Sequence, residues 1–330
     1  MRLSVLDLSP VGAGVTQAEA VRQTLEVAKA AERLGYDRFW VAEHHNIEGL
    51  ASPAPEILIA ALSQVTSTIR LGSGGVMLVN YSPLKVAEVF MELEALAPGR
   101  IDLGVGRALG ADGRTGAALR SASSEAFPHY FALLNAWLLD ASGKELIGPD
   151  HPAREIRAHP TGPSHPDLFM LCSSPDSAEF AGRAGVGMVF AEFIARADGG
   201  PAVEAYRRAF APSPFRQTPM AAIATIALAA DTHDEAVRLD APRRASTLAT
   251  LTGRRQRFPI IEDALAYLAP FEGDPRLTGI EARSIVGDAE SVRRRLAEKA
   301  QDSDADEVFV MASGPSLDAR IRSLELIKPA

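Results

Sequence analysis

Glu43, His44 and His45 are three consecutive ionisable residues that directly follow the apolar run 39–42. Histidine can take up or release a proton near neutral pH. If the apolar run is a strand, adjacent side chains at its end point to opposite sides, which disfavours a metal site shared by the two histidines. The sequence also lacks an HExxH motif and a second histidine cluster. We therefore expect proton chemistry from at least one histidine, the alternative being a histidine that is merely hydrogen-bonded in a loop.

Glycine accompanies two further candidate segments. Gly74 and Gly75 lie inside an apolar run, where a glycine pair indicates either a bulge or a ligand pressed against the backbone. Arg107 ends another such run, in the string GVGR. An arginine there can hold a phosphate or carboxylate through paired hydrogen bonds, and the alternative is an ordinary surface arginine. The spacing does not match the GxGxxG fingerprint of dinucleotide-binding sites.

The string SSPDS, residues 173–177, follows a further apolar run and opens a helical pattern. Free backbone N–H groups at a helix start favour phosphate, and the hydroxyls of Ser173, Ser174 and Ser177 add donors. The alternative is that Ser174 only caps the helix, ahead of a proline in the first turn. Asp176 would repel a phosphate if it faced inward. Both interpretations remain open at this point.

Short apolar runs alternate with helical patterns along the chain, and these elements must position the candidate residues. Helices are indicated by a capping box at Thr16 and Glu19, by the segments 55–65 and 125–139, and by Ser82 before a proline. The eight predicted strands are 3–8, 39–42, 69–79, 101–105, 168–172, 188–190, 222–228 and 307–311. This α/β pattern predicts a (β/α)8 TIM-type barrel, formed as one domain by residues 1–330, rather than an open Rossmann-type sheet.

Two insertions break the alternation. Residues 141–167, after the fourth predicted helix, are rich in proline, histidine and glycine. Residues 241–285, between the seventh and eighth predicted strands, carry many arginines and an extra helix is expected near 261–268. Long insertions in barrels usually lie at the C-terminal face, where ligands bind. Both are therefore candidate lids, with disordered decoration as the alternative.

Composition excludes several other classes. The 330 residues are 47% apolar and carry a formal charge of −8, which argues against general binding to nucleic acid. No apolar segment approaches the roughly 18 residues that a membrane span needs, and the first residues do not form a signal peptide. The single cysteine, Cys172, excludes a disulfide framework and a cysteine-based zinc site. We expect a cytoplasmic protein without a metal.

Two strings, GYDRFWVAEHHN and LGSGGVMLVNYSPLKVAEVFMELEALAPGRIDLGVGRALGAD, resemble the bacterial luciferase-like flavin monooxygenase family. The resemblance is thinner around LFMLCSSPDSAEFAGRAGVGMVF and VGDAESVRRRLAEKAQDSDADEVFV. It implies a TIM-type barrel, a homodimer packed through the second and third helices, and reduced FMN or the deazaflavin F420 at the strand C-termini. His44 matches the histidine beside the flavin ring, and Gly74–Gly75 matches a non-prolyl cis peptide against which the ring packs. The positions that hold the flavin phosphate match Arg107, Ser174 and Ser177.

Two residues depart from the family pattern. Tyr81 stands where relatives often have histidine. Glu192 stands where related sequences place an aromatic residue or histidine near the ring. A carboxylate there could deprotonate a substrate, hydrogen-bond it, or disfavour an anionic reduced flavin.

The leading hypothesis is a reduced-FMN-dependent monooxygenase that uses dioxygen on a small organic substrate. A separate flavin reductase is expected, because the chain has no dinucleotide fingerprint. One alternative is F420-dependent hydride transfer, with the arginines around 243–257 binding the acidic cofactor tail. The other is a flavin-binding barrel without turnover.

Overall fold

The computed structural model describes residues 1–145, 147–148, 150–151, 153–254 and 257–328. Parallel strands form one sheet in this part of the chain, and eight of them close into a barrel in which β6 pairs with β7, β7 with β9 and β9 with β1. The predicted TIM-type barrel and its eight strands are confirmed. The strands are β1 Arg2–Asp7, β2 Arg38–Val41, β3 Arg70–Met77, β4 Ile101–Gly106, β5 Asp167–Cys172, β6 Gly187–Ala191, β7 Ala221–Ala230, β8 Ser284–Asp288 and β9 Glu307–Ala312.

Helices cover the outside of the barrel. The capping box of Thr16 and Glu19 forms as predicted, whereas Ser82 stands at the N-cap position without a capping side-chain hydrogen bond. No described helix is long and apolar enough to cross a membrane. The helices are α1 Gln17–Arg33, α2 Pro55–Val65, α3 Pro83–Leu96, α4 Gly113–Leu119, α5 Phe127–Ala141, α6 Pro175–Arg183, α7 Glu192–Ala195, α8 Gly200–Ala209, α9 His233–Leu239, α10 Ala241–Leu251, α11 Ile261–Leu268, α12 Pro275–Glu281, α13 Ala289–Asp302 and α14 Leu317–Ile327.

The strands are continuous apolar runs because both of their faces are covered. Every residue of β4, β6 and β7 is buried. One core lies between strands and helices, and a second core fills the barrel interior. Trp40 is central to the interior core: its ring centroid lies 5.1 Å from that of Phe169 and 4.5 Å from that of Phe309.

Buried ionic groups close the N-terminal end of the barrel. Asp102 accepts hydrogen bonds from Arg38 Nη1 at 2.8 Å and from Arg70 Nε at 2.9 Å. Glu307 accepts one from Arg38 Nε at 3.3 Å and another from Ser4. We call Arg38, Arg70, Asp102 and Glu307 the basal cluster. It neutralises its own charges and separates the barrel interior from water at this end.

The insertion at 241–285 follows β7 and lies at the C-terminal mouth. Helices α10, α11 and α12 share a small core of their own, and the predicted helix at 261–268 is confirmed. Strand β8, which was not predicted from the sequence, pairs with residues 226–230 of β7 beyond the end of β6. Residues 255 and 256 of this insertion are outside the described part of the chain.

The insertion at 141–167 is not a lid over the mouth, and this expectation was wrong. It runs from the end of α5 to the start of β5, so it lies at the N-terminal end of the barrel. Ser164 Oγ there donates to Glu94 Oε1 near the end of α3, at 2.7 Å. Apart from residues 146, 149 and 152, which are not described, the segment 142–166 contains no helix or strand.

Candidate active site

Two adjoining cavities open at the C-terminal mouth. The inner cavity, of about 360 Å³, reaches into the barrel and is lined by residues that include Leu6, Trp40, His44, Gly74, Arg107 and Ser173. The outer chamber, of about 610 Å³, lies under α10 and is lined by residues that include His44, Leu50, Phe193, Thr247, Phe258 and Met311. These volumes are typical of small-molecule sites. His44 and Phe193 line both cavities and therefore mark their junction.

His44 is partly buried, and one of its ring nitrogens is unsatisfied. Its Nδ1 is buried and has no hydrogen-bond partner among the residues that the structure describes. Burial, and to a lesser extent the neighbouring His45, lowers the pKa of His44 to about 4. The imidazole is therefore neutral at pH 7. A buried ring nitrogen without a protein partner, at the junction of two cavities, is available to a bound molecule.

Glu43 also lines the inner cavity, and its carboxylate is engaged in a network of hydrogen bonds. Its carboxylate is buried, with Oε1 2.8 Å from His45 Nε2, 2.9 Å from Asn80 Nδ2 and 3.0 Å from the Tyr81 hydroxyl. Glu43 Oε2 accepts the backbone N–H of Met77 at 2.9 Å. His45 thus serves this network, and the expected alternation of side chains is confirmed: His44 is the histidine that faces the cavities.

Tyr81, which departs from the family pattern, is one of the donors that hold Glu43. Burial, reinforced by the Glu43 carboxylate, raises the pKa of Tyr81, so its phenol remains a donor. The sequence analysis missed Asn80, which also donates to the carbonyl of Leu109 at 3.1 Å and accepts from Ser121 Oγ at 2.6 Å. Asn80 could have been recognised in the sequence as a polar residue within the apolar segment that follows β3. Together these contacts fasten the loops after β3 and β4 to the end of β2.

The Gly74–Gly75 peptide is cis, as the resemblance implied. The ladder between β3 and β4 shifts register between Gly74 and Val76, so the bulge interpretation also holds. Gly74 lines the inner cavity. A methyl group there would lie 2.7 Å from Leu6 Cδ1, and one at Gly75 would lie 2.7 Å from the carbonyl oxygen of Gly104. Only glycine fits this tightly packed floor.

Arg107 lies exposed at the rim of the inner cavity and makes no hydrogen bond or ion pair with any described residue. It also lines a side pocket of about 360 Å³, together with Ser124, Ser174, Asp176, Ser177 and Arg183. Arg183 was not singled out from the sequence. It pairs with Glu179 one turn earlier on α6.

The capping interpretation of Ser174 is confirmed. Ser174 Oγ accepts the backbone N–H of Ser177 at 3.3 Å, and Ser177 Oγ donates to the Ser174 carbonyl at 2.8 Å. Both residues also lie in the side pocket with Arg107, while Ser173 lines the inner cavity. The helix start and Arg107, which has no partner among the described residues, therefore face one space that favours an anion. Asp176 lines the same side pocket, so its carboxylate opposes a phosphate there.

Glu192 does not face the cavities, so the hypothesis that its carboxylate meets a substrate was wrong. It is buried and bonded to Lys299 Nζ at 3.0 Å and to the backbone N–H of Gly199 at 3.0 Å. The next residues, Phe193 and Ile194, line the inner cavity instead. An aromatic side chain does stand near the cavities after β6, one position later than expected.

Among the described arginines at 243–257, the two on α10 are paired with carboxylates and the two after it are exposed. Arg243 pairs with both carboxylate oxygens of Asp240 at 2.6 Å, and Arg244 pairs with Glu281 at 2.6 Å. Arg254 and Arg257 are exposed, and Arg255 is outside the described residues. Within the described chain, no group of three or more histidine, cysteine, aspartate or glutamate side chains is placed to hold a metal ion.

Comparison with known proteins identifies similar sequences and folds. A family model described as luciferase-like monooxygenase matches residues 1–307. The N-acetyl-S-alkylcysteine monooxygenase of Bacillus subtilis is 37% identical over 301 residues, which cover 90% of this chain and 88% of that protein. The crystal structure of apo-MsnO8 is 36% identical, with a TM-score of 0.88 over 99% of this chain and 97% of that one.

One more distant structure shares the fold. The oxygenating constituent of 3,6-diketocamphane monooxygenase from Pseudomonas putida, in complex with FMN, is 19% identical with a TM-score of 0.72. The two chains are covered to 100% and 98%, respectively.

We predict that Glu43→Gln lowers the free energy of unfolding by about 1–3 kcal/mol. The amide replaces an acceptor oxygen with a donor, so at least one of the groups now bound to Glu43 faces another donor. Denaturant unfolding measures the change. Glu48→Gln is the matched control, because Glu48 is an exposed residue of the same loop, and it should change stability by less than about 0.5 kcal/mol. Equal stability of the two variants would contradict the assigned network.

We also predict that His44 makes stability depend on pH. Its pKa is about 4 in the folded protein and about 6.5 in an unfolded chain. The unfolded state therefore binds more protons between these values, and stability falls as the pH decreases through this window. From pH 7 to pH 4 the wild type should lose about 2–3 kcal/mol more than His44→Asn. An exposed histidine, His129, gives the control variant His129→Asn, which should follow the wild type. A constant difference between wild type and His44→Asn would exclude a neutral buried His44.

Proposed function

Because the chain belongs to the luciferase-like monooxygenase family, and is thus an oxidoreductase, we propose that it is a reduced-FMN-dependent monooxygenase. It would use dioxygen to oxidise a small organic substrate. The observation that carries this proposal is one continuous space that holds a glycine floor at Gly74, a neutral histidine at its junction and an unpaired arginine at its rim.

FMN has a flat apolar ring and a charged phosphate, and the residues present fit both parts. Leu6, Trp40, Val189 and Phe309 give the inner cavity apolar walls. At its rim, Arg107 would hold the phosphate, with Ser173, Ser174 and Ser177 adding hydroxyl groups. When bound, reduced FMN supplies the electrons that activate dioxygen, while the protein orients it and excludes water. The fold neighbour from Pseudomonas putida was determined with FMN, which supports this choice.

His44 is placed to hold or move a proton between the two cavities. A neutral imidazole can accept a proton or donate a hydrogen bond at the site where oxygen and substrate meet. The outer chamber, roofed by α10, is the space that we assign to the organic substrate. Because one relative is named for oxidising N-acetyl-S-alkylcysteine, organic sulfides are the first substrates to test, followed by aldehydes and ketones.

Two arginines of the outer insertion, Arg243 and Arg244, are paired with carboxylates, which leaves fewer cations for the acidic tail of F420. Arg254 and Arg257 of the same insertion are exposed, so F420-dependent hydride transfer remains the alternative function. The choice of FMN is supported by the fold neighbour that was determined with FMN. The outer chamber disfavours a flavin-binding barrel without turnover. It offers room for a substrate beside His44, in addition to the space for the flavin.

We further propose a homodimer and a separate flavin reductase. Ile57 on α2 and Leu96 on α3 expose 68% and 54% of their surfaces. Large apolar side chains at such exposure support the interface that the resemblance places on these two helices. Reduced flavin would come from the reductase, since the sequence contains no dinucleotide fingerprint.

Arg107→Ala is predicted to raise the Kd for FMN by about 10- to 100-fold, because one charge-assisted contact to the phosphate is lost. The Kd for riboflavin, which lacks the phosphate, should stay within twofold. Titration of flavin fluorescence measures both. Arg114→Ala is the matched control, since Arg114 is an exposed arginine of α4 outside the cavities. An equal loss for FMN and riboflavin would remove Arg107 from the phosphate site.

His44→Ala is predicted to lower turnover by about 100-fold or more, the usual contribution of a proton-transfer group. FMN affinity should change less than threefold, because other residues form the floor and the phosphate site. The assay couples an NADH-dependent flavin reductase to substrate oxidation across sulfides, aldehydes and ketones. Unchanged turnover in the variant, with a substrate that the wild type oxidises, would disprove the role of His44.

A further inference from the structure

Trp40 joins the inner cavity to the basal cluster. Its ring is 1% exposed and lines the deep end of the inner cavity. On the opposite side its Nε1 donates to Asp102 Oδ2 at 2.8 Å. The indole therefore lies between the inner cavity, which is the space assigned to the flavin ring, and Asp102 of the basal cluster.

Three glycines of β3 and β4 leave room for this ring. A methyl group at Gly72 would lie 2.6 Å from Trp40 Nε1, one at Gly74 would lie 3.2 Å from Cε3, and one at Gly104 would lie 3.3 Å from Cζ3. Gly74 thus contacts the indole as well as the inner cavity. The backbone of β3 and β4 supports the Trp40 indole. Because Gly74 contacts both the indole and the cavity, a displacement of the indole would also displace this part of the cavity wall.

Asp102 is itself fixed from both sides. Its Oδ2 accepts from Trp40 and from Arg38 Nη1, both at 2.8 Å. Its Oδ1 accepts from Arg70 Nε at 2.9 Å and Arg70 Nη2 at 2.5 Å. The carboxylate has no freedom to follow a displaced indole. The hydrogen bond therefore holds the ring at one height in the barrel.

The cost of burying these charges indicates a role beyond stability. Well-packed apolar side chains often stabilise a core as well as a buried ion network does, so such a network is weak evidence for stability. A directed acceptor, in contrast, fixes the orientation of one indole, which apolar packing does less strictly.

We propose that Trp40 determines how the inner cavity receives the flavin ring, and that Asp102 is the positioning residue that acts through it. This inference rests on the proposed flavin site. The expected consequence concerns the ring alone. A substitution at Trp40 or Asp102 should therefore reduce the affinity for FMN and for riboflavin by the same factor. A substitution at the phosphate site should instead reduce the affinity for FMN alone.

The test measures the Kd for FMN and for riboflavin in Trp40→Phe, Asp102→Asn and the double variant. Trp40→Phe should raise both constants about tenfold, because the N–H group and one ring are lost. Asp102→Asn should raise both about threefold, and in the Trp40→Phe background it should add nothing, since it acts through the missing N–H group. Trp137→Phe, at the other tryptophan of the chain, is the matched control and should leave both unchanged.

In Trp137→Phe, Trp40 is the only remaining tryptophan of the chain. Bound flavin should quench the fluorescence of this residue. Circular dichroism checks that each variant is folded, and Trp40→Tyr replaces Trp40→Phe if that variant does not fold. Affinities within twofold of wild type in a folded Trp40 variant would overturn the inference, as would additive effects in the double variant. If the wild type binds neither flavin, the proposed function fails instead, so the two failures are distinguishable.

Discussion

The buried carboxylate of Glu43 is the constraint on which the geometry of the site depends. A charge in this position must be satisfied, and Glu43 is satisfied by donors from its own loop and from the segment after β3. His45 turns towards it, so His44 points the other way, to the junction of the two cavities. One hydrogen-bonded group thereby anchors two loops and selects which histidine is available for chemistry.

A similar arrangement exists at the other end of the barrel. Asp102 is held by arginines and in turn holds Trp40, which packs against Gly74 and lines the inner cavity together with it. The apolar interior therefore lies between two polar layers, each of which fixes one side chain that faces the cavity. Between them the barrel offers a largely apolar cavity, and Arg107 at its rim has no partner in the described part of the chain. This combination suits a ligand with a ring and an anionic group.

Most of the fold could be predicted because buried parallel strands are continuous apolar runs and because the intervening helices carry recognisable caps. Strand β8, with the sequence SIVGD, is short and ends on polar residues, and its partner is an unusually long β7. The role of Glu192 was misjudged because its partner Lys299 lies 107 residues away. Likewise, composition alone cannot tell which end of a barrel an insertion occupies, which is why 141–167 was taken for a lid. The candidate residues at strand ends could be found from the sequence. Their hydrogen-bond partners could not, because these depend on how the loops pack.

The central proposal is that a single space holds FMN, with its ring against Gly74 beside His44 and its phosphate at Arg107. A crystal structure of the protein with FMN bound tests it most directly. The account predicts the ring in the inner cavity against Gly74, within contact of Trp40, and a phosphate oxygen within hydrogen-bond distance of the Arg107 guanidinium. A ring outside the inner cavity, or a phosphate away from Arg107, would contradict it.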